Sequence, residues 1–165
     1  MKITRSTINT DSQVIQKHIH GVERWYGTDG DNTMSVANNI TPWTLTAATT
    51  ANVYGPAVTL STVSDVKDAD MGITVAKFDV GKIAVTKASA VDKMHMIQIW
   101  NGATQFGSAT LSTEIPYRTA ATSGEIGPID LKMARITVSN RLWARQKCAT
   151  TSTTLDVLIG VHAYP

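Results

Sequence analysis

The clearest pattern in the chain lies over residues 155–164. Leu155, Val157, Ile159, Val161 and Ala163 alternate there with Asp156, Leu158, Gly160, His162 and Tyr164. A period of two puts the first set on one face and the second on the other, so the segment reads as a strand with one face in a core. Ile136, Val138, Leu142, Trp143 and Ala144 mark a strand before it, joined to it by a polar turn. Residues 73–80 predict another strand, which Gly81 bends or bulges before residues 82–86 continue it. Residues 94–100 form the next. Asn101-Gly102 after them is the strongest hairpin signal in the chain, with residues 103–111 returning from it. Glu114-Ile115-Pro116-Tyr117 then leads into a loop over residues 120–127.

The N-terminal half is less regular. Residues 1–10 are polar, with Ile3 and Ile8 as apolar anchors, and read as an extended arm. Residues 11–22 fit either a short helix started by Asp11 and Ser12 or a strand; Gly21 weighs against one continuous helix, and extended structure is favoured. Glu23-Arg24-Trp25-Tyr26-Gly27 is an aromatic knot before the turn signal Thr28-Asp29-Gly30-Asp31-Asn32. Residues 34–62 carry few charges and predict irregular chain with short strands near 44–47 and 57–60, a stretch long enough to be functional or held by a partner. Residues 65–70 form a charged loop. The expectation is seven to nine short strands with no alternation of strand and helix. That is an all-β, single-domain antiparallel β-sandwich of jelly-roll type over residues 11–165, preceded by the arm at residues 1–10.

Composition sharpens this picture. The chain has 165 residues, the size of one domain, and only 17% of them are charged against a usual share of about 25%. Low charge suits surfaces that become buried in an assembly, where desolvating charge is costly. The net charge of +2 is too small to imply nucleic acid. Its distribution is uneven: no acid stands between Asp130 and Asp156, whereas Lys132, Arg135, Arg141, Arg145 and Lys147 do. They read as a solvated strand face or as a basic docking face for an acidic partner protein. Cys148 is the single cysteine, which rules out an intramolecular disulfide and fits a reducing compartment. The first residues lack the apolar run of a signal peptide, and no stretch is long and apolar enough for a membrane helix.

Candidate chemistry is sparse. His18 and His20 share a face if extended and are weak metal candidates, with His95 or His162 to complete a site. Asp29, Asp31 and Asn32 lack the order and distal Glu of a calcium loop. No nucleophile elbow, Walker loop or dinucleotide fingerprint is present. The expectation is no enzyme, no catalytic residue and no cofactor. Trp100 and Trp143 read as core. Trp25, Tyr26 and Trp43 read as core or subunit interface before sugar-stacking platforms, since interfaces favour Trp, Tyr and Arg.

Two segments carry a resemblance: His18-Ile19-His20-Gly21-Val22-Glu23-Arg24-Trp25-Tyr26-Gly27, and Leu142-Trp143-Ala144-Arg145 followed by residues 155–164. In these the chain resembles the jelly-roll decoration (cement) proteins encoded among the head genes of tailed bacteriophages. The resemblance implies a virion protein, made in the host cytoplasm, on the outer surface of the capsid. Its partners would be the major capsid protein and itself, as a trimer in preference to a dimer, with no direct nucleic acid and no membrane. Ile3, Arg5 and Ile8 of the arm, together with Arg24, Trp25, Tyr26 and Trp43, would be contact residues. The alternatives are a glycan-binding fibre or tail-associated module using Trp43 or Tyr54, and a jelly-roll enzyme with a histidine-bound metal.

Overall fold

The computed structural model describes residues 22–28, 34–35, 41–62, 66, 71–120 and 128–165. The arm, the His18/His20 pair and the turn at residues 29–32 lie outside them. The described elements are strands β1 (Val22–Thr28), β2 (Met34–Ser35), β3 (Trp43–Thr46), β4 (Val58–Ser61), β5 (Lys77–Ala88) and β6 (Met94–Gly102). A 3-10 turn (Phe106–Ser108) follows, then β7 (Thr110–Arg118), β8 (Ile129–Asp130), β9 (Ile136–Thr137), β10 (Arg141–Cys148) and β11 (Thr154–Tyr164).

These strands form two antiparallel sheets packed face to face. One has four strands in the order β4-β10-β6-β7; the other has seven, with β2-β1-β11-β5-β8 as its main path. β1 and β3 share one edge of β11, pairing with its second and first halves, and β8 and β9 share the far edge of β5. The chain passes repeatedly between the sheets, and β11 lies beside β1, the first strand among the described residues. That connectivity is a jelly roll, as the strand pattern predicted.

β11 behaves as its alternation requires. Leu155, Val157, Ile159, Val161 and Ala163 are all fully buried. Their partners in the core include Tyr26, Phe78, Ile83, Ile97, Ile99 and Leu142. Gly81 is a bulge: Gly160 pairs with Lys82 and Val161 with Val80, so Gly81 is skipped. A Cβ there would lie 2.3 Å from Cε1 of His162, so the glycine admits the histidine ring across the strand.

Three local expectations are corrected. The strand predicted from residue 73 begins at Lys77. Ile136 belongs to β9, which pairs with β5, while Leu142, Trp143 and Ala144 belong to β10 in the other sheet. The polar segment after β10 therefore turns a corner between sheets. Asn101-Gly102 is not a turn. Both residues extend β6, and the hairpin closes through residues 103–109. Asn101 is held in the strand by Ser112 Oγ, to which its Nδ2 donates at 2.8 Å, and by Asn140, whose Nδ2 donates to its Oδ1 at 2.8 Å. Gly102 serves close approach: a Cβ would lie 3.1 Å from the Ala109 Cα. The longer loop folds Phe106 back edge-on to Trp100, with ring centroids 5.3 Å apart, and to Trp143 at 6.2 Å.

Candidate functional site

The outer face of the four-stranded sheet carries the densest cluster of interacting polar and aromatic side chains described. Along β10, Leu142, Ala144, Gln146 and Cys148 point into the sandwich, and Arg141, Arg145 and Lys147 are partly exposed on the other side, where Trp143 is buried against Phe106. Register sets Arg145 beside Gln98 of β6, and Gln98 beside Glu114 of β7. Arg145 Nε donates to Gln98 Oε1 at 2.9 Å, Trp100 Nε1 donates to the same oxygen at 3.1 Å, and Gln98 Nε2 donates to Glu114 Oε1 at 3.1 Å.

Tyr54 reaches this row from the segment between β3 and β4. Its hydroxyl donates to the Glu114 carboxylate. The adjacent Gly55 N–H donates to Gln146 O at 2.9 Å, and a Cβ on Gly55 would strike the Thr46 carbonyl oxygen at 1.8 Å. A glycine is therefore what lets this segment lie down beside β10 and present Tyr54. The Arg145 guanidinium carbon lies 4.7 Å from the ring centroid of Tyr54, 5.0 Å from Trp100 and 5.1 Å from Phe106. Lys147 Nζ is 4.8 Å from the Tyr54 ring. Contacts of this kind contribute about 0.5–1 kcal/mol each at exposed sites, so their main effect is to hold Arg145 in one place.

The electrostatics follow from these contacts. The Tyr54 hydrogen bond holds the Glu114 carboxyl below its ordinary range, helped by Gln98, Lys147 and Arg145. Burial, then the bond to Glu114, pushes the Tyr54 hydroxyl well above its ordinary value. Glu114 is thus an anion already engaged by donors of its own sheet. Arg145 and Lys147 are the cations that act on it, and Arg118, farther along β7, pairs with Asp92 at 2.8 Å. Exposed Leu111 (41%) and Met94 (51%) add apolar area on the adjoining strands.

The other sheet has a smaller polar group on its outer face. Asp79 accepts from Tyr164 Oη at 2.9 Å and lies 3.2 Å from Nδ1 of His162. Arg135 stacks on the Tyr164 ring at 3.7 Å.

The predicted site residues scatter. The five cations expected on one docking face divide between the two sheets: Arg141, Arg145 and Lys147 are on β10, whereas Lys132 and Arg135 are exposed in the segment between β8 and β9, which pair with β5. Tyr26 (0%) and Trp43 (2%) are core residues, so neither is a contact residue, and Trp43 is no sugar platform. Both face inward because β1 and β3 flank the central strand β11. Arg24 is exposed and Trp25 half-buried on β1. Ile3, Arg5, Ile8, His18 and His20 lie outside the described residues. His95 is fully buried against Gln146, and His162 engages Asp79. Among the described residues no group of three or more His, Cys, Asp or Glu is placed to hold a metal, and no helix is long and apolar enough to cross a membrane. Trp100, expected in the core, is half-exposed. Gln98, Phe106 and Glu114 were not anticipated at all; only strand register assembles them.

Comparison with protein-family models, with curated proteins and with solved structures finds no match for this chain. What the surface does must be argued from its chemistry. It offers cations held by ring contacts, and some apolar area, on one face of the sheet.

Proposed function

We propose that this chain is a structural virion protein that binds the outer surface of a tailed-phage capsid and stabilises the head by bridging capsid subunits. The observation that carries the reading is the patch of Arg145, Tyr54, Trp100 and Phe106 on the four-stranded sheet. Arginine and aromatic residues on a rigid surface are the residue types that dominate protein–protein binding energy. The resemblance of residues 18–27 and of the C-terminal strands to decoration proteins supplies the kind of partner. In this reading each contact is modest and is repeated around a particle, so avidity replaces strong single-site affinity. Self-association, as a trimer in preference to a dimer, multiplies the contacts further.

The Arg145 guanidinium lies over the Tyr54, Trp100 and Phe106 rings. Ring faces used in this way are poorly placed to stack on a sugar, which favours a protein partner over a glycan. The test is to add purified protein to capsids that lack it, sediment the particles and count bound copies. Saturation at a copy number compatible with icosahedral sites is the expected result, and it reports the oligomer as well. Folded protein that stays in the supernatant would overturn the reading and make a glycan screen the next experiment.

A further inference from the structure

We infer that the outer face of the four-stranded sheet is a receptor for an extended, carboxylate-bearing segment of a partner protein, with Arg145 and Lys147 as the residues that read it. The inference rests on the proposed role and names the chemistry of the partner at that surface.

The charge balance comes first. Arg141, Arg145 and Lys147 project from one face of β10, and the facing acid, Glu114, is already held by Tyr54 and Gln98. Among the described residues neither Arg145 nor Lys147 forms a salt bridge. The face therefore carries surplus positive charge over a low-dielectric bed of aromatic rings, where a carboxylate would gain more than at an open surface.

Pre-organisation comes second. Arg145 donates from Nε to Gln98, and its guanidinium is held against three rings. With Nε committed, the two terminal nitrogens are left as parallel donors. That fork matches the two oxygens of a carboxylate end-on. Arg145 and Lys147 are two positions apart on one strand, a separation of about 6.7 Å. An extended partner with acids at alternate positions presents carboxylates at the same interval, because it obeys the same strand geometry.

A single-stranded nucleic acid also carries anions, but it binds by laying bases on open aromatic faces. Here those rings are occupied by the protein's own guanidinium. A protein carboxylate needs no free ring.

The test uses the full chain and a fluorescein-labelled ten-residue polyglutamate at low salt, read by anisotropy. Saturable binding is expected. The pair Arg145→Gln with Lys147→Gln should weaken it by about tenfold. The pair Lys132→Gln with Arg135→Gln makes the same charge change on the other sheet and should leave it within about twofold, since screening limits distant charges. Lys147→Gln alone, which leaves the Arg145–Gln98 bond in place, guards against a folding defect and should weaken binding in part. Equal effects of the two double variants, no binding at all, or tighter binding of a ten-residue poly-dT would each overturn the inference. The capsid assay separates this from the proposed role. Wild-type protein that fails to bind particles sinks the role itself. Wild-type binding that the Arg145/Lys147 pair leaves unchanged sinks the receptor assignment alone.

Discussion

His95 is a titratable group placed where water does not reach. Its Nδ1 lies 2.7 Å from Oε1 of Gln146, whose Nε2 donates to Leu45 O at 2.6 Å and to Thr153 O at 2.9 Å. With the amide nitrogen committed to two carbonyls, the amide oxygen must accept, so the imidazole donates from Nδ1. The other ring nitrogen, Nε2, is buried and has no hydrogen-bond partner among the described residues. A proton added there would create a buried charge. Burial accordingly lowers the His95 pKa from its ordinary 6.5, and the Gln146 bond opposes this only in part. The unfolded chain takes the proton more readily than the folded one. Stability from this group is therefore complete above pH 6.5 and declines as pH falls from 6.5 toward the folded pKa, by at most about 1.4 kcal/mol per pH unit. His95→Gln keeps a donor for Gln146 and cannot titrate. At pH 7.5 the variant should be less stable than wild type by about 1–2 kcal/mol, and the gap should narrow between pH 6.5 and 5. Urea midpoints across that range are the measurement, and parallel profiles would place the acid sensitivity elsewhere. The carboxylates act lower: Glu114 and Asp92 are held below their ordinary values of 4.5 and 3.8, so what each contributes is present above its ordinary value and is lost as pH falls through the lowered one.

At the scale of single strands, the two faces of β11 make opposite demands on the sequence. Ile159 is fully buried between its partners Tyr26 of β1 and Ile83 of β5. Ile159→Ala should destabilise by about 2–5 kcal/mol through lost burial and the cavity left behind. Its neighbour Leu158 points to the outer face, and Leu158→Ala should cost about 1 kcal/mol or less. Denaturant midpoints at constant slope would separate the two, and equal losses would mean that the outer face is covered. This one-sided burial is also why β11 was legible in the sequence: a strand with one wet face has to alternate. The Gly81 bulge was legible because a glycine interrupted an otherwise regular run. Asn101-Gly102 misled because the pair has hairpin chemistry, yet the glycine is spent on closeness to Ala109 and the asparagine on Ser112 and Asn140. The patch around Arg145 left almost no local trace. Gln98 and Glu114 look like ordinary solvent-facing residues until the register places Gln98 beside both Arg145 and Glu114. Those pairings span tens of residues, and no periodicity reports them. The basic run misled for a related reason: Lys132 and Arg135 are close to β10 in sequence, but the chain changes sheets between them.

For the molecule as a whole, the order of the strands makes the fold depend on its last element. β11 pairs with β5 on one side and with β1 and β3 on the other, so Val22 meets Ala163 across almost the whole chain. Until β11 is in place, the seven-stranded sheet has no centre, and β1 and β3 have no partner in common with β5. Leu155, Val157, Ile159 and Val161 are each completely buried. At about 1.5–3 kcal/mol per buried aliphatic side chain, these four contribute about 6–12 kcal/mol. That is comparable with the entire stability of an ordinary domain, about 5–15 kcal/mol. A chain ending at residue 153 should therefore fail to fold rather than fold weakly. It should show no near-ultraviolet circular dichroism and no cooperative urea transition. A synthetic peptide of residues 154–165 should restore both in trans, because it supplies the missing ladder to β1, β3 and β5 together. Folding of the intact chain should be slow, in milliseconds to seconds or longer, since the decisive pairings are non-local. A truncated chain that still unfolds cooperatively would show that the four-stranded sheet, with Leu142 and Ala144 of β10 against Ile97 and Ile99 of β6, is stable without the other sheet's centre. The binding surface on its outer face would then be separable from the rest of the sandwich.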